Sequence, residues 1–228
     1  MQNRTENEFF IISHRGASEY EPENTMSSFK KAVELGTHMI EFDIRMSLDR
    51  ELMVIHDKKV NRTTNGKGYV KDKTVEELKE LDAGNGERIP TAEEVLSQFA
   101  NKTKFVIELK ELNTEEKLLE IIHKFNLIND VYIVSFHKRI LKKIKYMEPS
   151  LITGLIKFYP SNIFKDCTYC NADVVAVFRS FINRKLVKKL EDKNLILFSW
   201  TVNKKDLGLK MKNIGVRGVV TNKPDLMK

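Results

Sequence analysis

Three features of the chain predict an α/β fold, specifically a (β/α)8 TIM barrel with a small insertion after the second strand. Short apolar, strand-like runs alternate with helix-like segments from end to end, the runs number eight, and no glycine-rich phosphate-binding turn follows the first of them. Alternation of this kind places parallel strands inside and helices outside, and an open nucleotide-binding sheet would need the missing turn. At 228 residues the chain suits one such barrel, so a single domain over 1–228 is expected, with the insertion at about 45–90.

The first run, Phe9-Phe10-Ile11-Ile12, is a buried strand that delivers His14-Arg15-Gly16 at its carboxyl end. A helix begins near Pro22, capped by Asn24 or Thr25. Met26, Phe29, Ala32 and Val33 recur at helical spacing until Gly36 stops it. Met39 to Ile44 is the second strand. In the irregular stretch that follows, Leu52 to Ile55 reads as a hairpin extension of that strand through a turn at Asp49. Asn65-Gly66 reads as a turn and Val75 to Leu81 as a short helix. Loops this long inside a compact domain are usually functional, and this one carries His56-Asp57. The remaining strands are Lys104 to Lys110, Val131 to Ser135, Ile152 to Ile156, Asp173 to Val177, Leu195 to Trp200 and Gly218 to Thr221. Helices over Thr91 to Phe99, Thr114 to Phe125, Lys138 to Met147, Asn183 to Asp192 and Lys204 to Lys212 fill most of the gaps.

The net charge of +7 comes largely from lysine pairs on helices, such as Lys30-Lys31, Lys142-Lys143 and Lys188-Lys189. Solvated helix faces explain them, and no aromatic-basic platform accompanies them, so no nucleic-acid partner is expected. A mildly basic field favours an anionic substrate. Cys167 and Cys170 form a C-x-x-C pair in a helix or loop, without further zinc ligands or a thioredoxin context, and read as structural. The stretch from Met1 to Glu8 has no apolar run before a cleavage site, and no segment is long enough to cross a bilayer. A cytoplasmic protein is the expectation.

The chemistry is concentrated at strand ends, where barrels of this kind keep their active sites. In a strand, residues i and i+2 share a face, so Glu41 and Asp43 point one way while Ile40, Phe42 and Ile44 point the other. Glu108 and Lys110 repeat the pattern. A buried row of acids needs a cation or donors to neutralise it, and oxygen-only carboxylate clusters suit hard divalent ions, Mg²⁺ or Ca²⁺. Glu41, Asp43 and Glu108 are therefore candidate metal ligands, and a structural Glu108–Lys110 pair is the competing reading. His14 and His56 can divide the proton transfers of phosphodiester hydrolysis, because imidazole titrates near neutrality. Arg15 and Lys110 can clamp phosphate oxygens. Trp200, with Tyr159 and Phe178, can wall off the alcohol part of a substrate, although core or lid packing also accounts for Tyr159 and Phe178. His38, His123 and His137 read as structural.

These residues resemble the glycerophosphodiester phosphodiesterase family, in its compact bacterial form. The resemblance is carried in order by His14-Arg15-Gly16, Pro22-Glu23-Asn24-Thr25, Glu41-x-Asp43, Val54-Ile55-His56-Asp57, Arg62-Thr63-Thr64-Asn65-Gly66, Ile89-Pro90-Thr91, Glu108-Leu109-Lys110, Trp200-Thr201-Val202-Asn203 and Gly218-Val219-Val220-Thr221-Asn222-Lys223-Pro224. It implies hydrolysis of glycerophosphodiesters to sn-glycerol 3-phosphate and an alcohol. By the same resemblance Glu41, Asp43 and Glu108 match metal ligands, His14 and His56 the acid/base pair, and Arg15 and Lys110 the phosphate contacts. Asp49-Arg50 departs from the Asp-Gly often found in the turn before the second histidine. Lysolipids are the competing substrates if the barrel mouth is widely apolar. A non-catalytic relative of the same fold is expected to have lost one of the five central residues, all of which are present.

Overall fold

Residues 8–227 are described by a computed structural model of the chain, and the stretch from Met1 to Asn7 lies outside them. Eight parallel strands form the barrel: β1 (Phe10–His14), β2 (Met39–Met46), β4 (Lys104–Leu109), β5 (Val131–Ser135), β6 (Ile152–Lys157), β7 (Val174–Phe178), β8 (Ile196–Trp200) and β9 (Gly218–Thr221). Each pairs with the next, and β1 pairs with both β2 and β9, which closes the sheet. The expected (β/α)8 barrel is thus the fold. A further short strand, β3 (Leu52–Val54), runs antiparallel to β2.

The predicted hairpin exists, but it starts later than expected. Arg45 and Met46 pair with Met53 and Leu52, so β2 continues through the position where the insertion was placed. Ladder hydrogen bonds from β3 hold these residues extended. Arg50 takes up the left-handed backbone at the turn, with φ 65°, and Asp49 accepts from the Ser47 hydroxyl and the Val75 amide. The Asp-Gly departure is absorbed there without loss of the hairpin. The rest of the insertion comprises two 3-10 turns, Val60–Arg62 and Val70–Asp72, and α2 (Val75–Lys79) around a small core of its own that includes Met53, Val60, Val70 and Leu78.

Helices α1 (Met26–Glu34), α3 (Ala92–Phe99), α4 (Glu115–Lys124), α5 (Lys138–Met147), α6 (Ile163–Cys170), α7 (Arg184–Glu191) and α8 (Lys205–Asn213) surround the barrel. Thr25, Thr74 and Thr91 open α1, α2 and α3 with reciprocal capping boxes, whose Thr-x-x-Glu spacing in the last two is visible in the sequence. Helix α6 is the one the sequence left open between helix and loop. Cys167 and Cys170 sit on its inner face with Ile163, buried, and burial pushes the Cys167 thiol up to about 12, which suits an inert core thiol. After β9 comes a 3-10 turn, Pro224–Met227.

Period-two alternation decides which residues see the barrel interior. Outward residues of β2, β4 and β5 (Ile40, Phe42, Ile44, Phe105, Ile107, Ile133) join the helices in the larger core, where Phe29 of α1 packs on Phe42 and Phe99 with ring centroids 5.8 and 6.2 Å apart. Inward residues Ile12, Met39, Val106, Tyr132, Val174 and Phe198 plug the barrel in an apolar layer. Above this plug, at the carboxyl ends, the same faces become polar, with His14 beside Glu41 and Asp43 beside Glu108 in register. No helix among the described residues is long and apolar enough to cross a membrane.

Candidate active site

The loop after β1 is shaped by two residues. Arg15 adopts a left-handed φ of 56°, which turns its backbone N–H onto Glu41 Oε2 at 2.8 Å. Gly16 follows at φ 80°, where an added Cβ would lie 2.7 Å from the backbone carbonyl carbon of Ser28. The close approach of α1 requires glycine there, and the left-handed backbone favours it. Gly16→Ala is expected to destabilise the fold by about 1–3 kcal/mol, as overpacking does, read as a fall in the urea midpoint at unchanged slope.

Glu41, Asp43 and Glu108 are buried to 5%, 1% and 7% exposure, and one carboxylate oxygen from each lies within 4.8 Å of the others. Two cations reach them. Lys110, just past the end of β4, places Nζ 2.8 Å from Asp43 and 2.6 Å from Glu108, and Arg15 Nε lies 3.2 Å from Asp43. The competing Glu108–Lys110 ion pair therefore exists, yet the same ammonium also serves Asp43. Three carboxylates facing two cations leave one negative charge over. Burial pushes Glu41 well above the usual carboxylate range, with the Asp43 charge adding to it, and the same two causes push Glu108 up to about 7. Burial would raise Asp43 too, but Lys110 and Arg15 hold it below its ordinary value. An all-oxygen donor set with charge to spare fits a hard divalent cation, and Mg²⁺ and Ca²⁺ favour such sets over nitrogen or sulfur.

The two histidines flank this triad. His14 Nδ1 donates to Asn222 Oδ1 at 2.8 Å, and Asn203, which accepts from the Asn222 amide at 2.9 Å, holds that loop in place. This fixes the tautomer and leaves Nε2 a lone pair. Burial, with Arg15 alongside, lowers His14 to about 4, so it is neutral at pH 7. His56 Nδ1 pairs with Asp57 Oδ1 at 2.6 Å, and burial lowers it as well, with the Asp43 charge opposing. His14, His56, Arg15, Glu41, Glu108, Lys110 and Trp200 all line one cavity of about 160 Å³, whose floor is the apolar plug. Asp43 lies beneath Lys110 and Arg15. The Trp200 indole N–H donates to the Ala176 carbonyl at 3.1 Å, which fixes its ring at the rim.

A chain of ion pairs crosses the mouth. Asp57 Oδ2 accepts from Arg62 Nε at 2.7 Å, Arg62 grips Glu23 with two bonds of 2.8 Å, and Glu23 Oε1 also accepts from Arg15 Nη1 at 2.8 Å. His56 is thus linked to Arg15, and so to Asp43, through Glu23 and Arg62. The His56 carbonyl is tied separately, by Arg45 Nε at 2.7 Å. Glu23, Arg62 and Asn222 lie in stretches that carry the family resemblance, but the sequence by itself gives them no task, because their partners are 39, 39 and 208 positions away. His38, His123 and His137 stand apart from the cavity. His38 Nδ1 accepts from the Ile11 amide, and His123 lies 3.4 Å from Glu148.

Residues 14–226 match the model of the glycerophosphoryl diester phosphodiesterase family. The chain is 39% identical over 233 residues to a glycerophosphodiester phosphodiesterase of Caldanaerobacter subterraneus subsp. tengcongensis, covering 95% of each. It is 34% identical over 245 residues to another of Bacillus subtilis, covering 94% of this chain and 84% of that one. Among solved structures, an Oleispira antarctica phosphodiesterase in complex with the product sn-glycerol-3-phosphate superposes with a TM-score of 0.88 at 26% identity, over 96% of this chain and 94% of that one. With its barrel, its buried acid triad and these relatives, the chain belongs to the glycerophosphoryl diester phosphodiesterase family and is an enzyme of that activity.

Proposed function

We propose that the enzyme hydrolyses glycerophosphodiesters to sn-glycerol 3-phosphate and an alcohol in the cytoplasm, by acid/base catalysis from His14 and His56 beside a carboxylate-bound divalent cation. The observation that carries this reading is the placement of two histidines, each with Nδ1 engaged, on one cavity with the acid triad. Glu41, Asp43 and Glu108 would hold Mg²⁺ or Ca²⁺, which supplies charge neutralisation at phosphate oxygens. His14, neutral and with Nε2 free, accepts the proton of the attacking nucleophile. His56, once protonated, donates to the leaving oxygen, and its Asp57 partner and the Asp43 charge oppose the lowering that burial causes. Arg15 and Lys110 bind the remaining phosphate oxygens, and Trp200 backs the alcohol. The relatives' names and the product bound in the Oleispira antarctica enzyme support this substrate class.

The deciding assay is release of sn-glycerol 3-phosphate from glycerophosphocholine and glycerophosphoethanolamine with Mg²⁺, with Ca²⁺ and after chelation. Cation-dependent release that chelation abolishes is expected. Equal release in chelator would overturn the metal-assisted reading. Glu23 and Arg62 act on the reaction through His56 and Arg15. Arg62→Ala is expected to lower kcat by about 10–100-fold, as loss of supporting hydrogen bonds does in other sites. Lysine should restore only part of it, since it cannot reproduce the two-bond grip on Glu23. An unchanged kcat in Arg62→Ala would remove the ion-pair chain from the mechanism.

A further inference from the structure

His56 is held differently from His14. His14 stands on β1 itself, whereas His56 follows β3 and opens the insertion. One edge of β2 is shared: β3 pairs along it at Ile44 to Met46, and β1 takes it over up to Glu41. Strand β3 must therefore leave the sheet where His56 begins. The Ile55 amide still reaches the Asp43 carbonyl at 3.0 Å. The His56 carbonyl lies past that last ladder bond and takes a side chain as its partner, Arg45 Nε at 2.7 Å. A backbone carbonyl with no strand beside it needs such a donor, and here the donor carries a fixed charge.

Arg45 shares a face of β2 with Asp43, two positions before it, and is buried. Its Nη1 lies 3.1 Å from Glu111 Oε2, and Glu111 Oε1 accepts from the Met46 amide at 2.8 Å. A planar guanidinium engaged at both Nη1 and Nε has one orientation, so Glu111 sets the direction in which Nε meets His56. Glu111 in turn follows Lys110, whose ammonium bridges Asp43 and Glu108. This one ion pair ties together the end of β2, the loop after β4 and the start of the insertion. Neither Arg45 nor Glu111 lines the catalytic cavity; both line a separate one of about 450 Å³, walled also by Lys58, Tyr69 and Lys71 of the insertion. The chain of Asp57, Arg62 and Glu23 governs the imidazole of His56, and Arg45 governs its backbone.

We infer that Arg45, locked by Glu111, is a positioning residue that aims His56 as the proton donor, acting through the histidine's own carbonyl. The inference rests on the reading of His56 as donor given above. In that step the nucleophile adds to phosphorus and gives its proton to His14, while the bond from phosphorus to the head-group oxygen breaks and that oxygen takes the proton from His56. Arg45 touches neither the substrate nor the acid triad's vacant oxygens, so its loss should be felt where the leaving oxygen needs a proton. A choline alkoxide needs one. A p-nitrophenolate, stable as the anion, departs without it.

The test compares kcat for glycerophosphocholine with kcat for the p-nitrophenyl ester of sn-glycerol 3-phosphate, in wild type, Arg45→Ala, Arg45→Lys and His56→Ala, all with divalent cation. Arg45→Ala should lose about 10–100-fold on glycerophosphocholine at near-constant KM, the scale of a misplaced group, and its ratio of p-nitrophenyl to choline turnover should rise by about tenfold or more. His56→Ala should move that ratio the same way. Arg45→Lys keeps the stem and the charge without the planar fork, and carries the same comparison in a fold that retains its packing. Guanidinium chloride at a non-denaturing concentration, admitted through the outer cavity onto Glu111, should return the ratio of Arg45→Ala towards wild type and leave His56→Ala unmoved. Divalent cation should stabilise Arg45→Ala against heat as it does wild type. A ratio that rises in His56→Ala and in neither Arg45 variant overturns the positioning role and leaves the donor assignment standing. A ratio that guanidinium fails to return, or cation stabilisation lost in Arg45→Ala, places the defect in packing or in the triad and overturns it too. An unmoved ratio in His56→Ala defeats the donor assignment and the inference with it, and no turnover of either ester by wild type defeats the phosphodiesterase reading as a whole.

Discussion

Replacing His14 by asparagine is expected to lower turnover by about 10²–10⁴-fold, the usual contribution of a positioned proton acceptor, with little effect on cation binding. Asparagine is small enough for the space and leaves Glu41, Asp43 and Glu108 unchanged, so the cation should still raise the melting temperature. A second readout separates the histidine from mere damage. His14 titrates at about 4 in the fold against an ordinary 6.5. Between these values the unfolded chain binds more protons than the native one, so this group's contribution to stability falls as pH drops from about 6.5 towards 4. His14→Asn lacks that contribution. The difference between wild-type and variant stability, measured by urea melts without added cation, should shift in favour of the variant as pH falls through the window. Because Glu41 and Glu108 are common to both proteins, their own titration cancels in the difference. A variant with near-normal turnover would end the assignment of His14 as proton acceptor.

Glu41→Gln is expected to abolish both turnover and the stabilisation conferred by divalent cation. Glutamine keeps an acceptor for the Arg15 amide, which Glu41 engages at 2.8 Å, so the loop after β1 should hold. What it removes is the charge that leaves the triad one negative charge in excess of Lys110 and Arg15. Without it, two carboxylates face two cations and nothing electrostatic remains for a divalent ion. In wild type, cation at a hundredfold excess over its dissociation constant should add about 2.7 kcal/mol to unfolding free energy, by mass action. The variant should show none in the same thermal melt. Undiminished cation stabilisation in Glu41→Gln, together with its loss in His14→Asn, would reverse the roles given to the two residues.

The strands are legible because apolar runs of four to six residues with alternating polar ends carry their own periodicity, and α1 and α3 are legible because each opens on a threonine, Thr25 and Thr91. Boundaries were less so. Nothing local says that β2 continues through Arg45 and Met46, since it is pairing with β3 that holds them extended. Helix α6 carries no clear helical signal, because its inward face is Ile163, Cys167 and Cys170 and lacks the repeated leucine-like residues that mark a helix. In the site, Glu41, Asp43, Glu108, His14 and His56 could be picked out because their types are costly to bury without a task. Asn222, Glu23 and Arg62 could not, because polar residues in loops are ordinary until a partner far along the chain is known.

The order of strands and helices, the inward alternation of Glu41 with Asp43, and the set of chemically capable residues follow from the amino-acid sequence alone, because backbone periodicity and the cost of burying charge act over a few residues. Which of those residues meet is a property of barrel closure. Only when β1 pairs with β9 does Asn222 reach His14, and only when the insertion folds back does Arg62 bridge Asp57 to Glu23. The hold of Arg45 on His56 was likewise decided in three dimensions. Arg45 and the Glu111 that locks it are 66 positions apart, and it is the pairing of β2 with β3 and β4 that brings them to the His56 carbonyl.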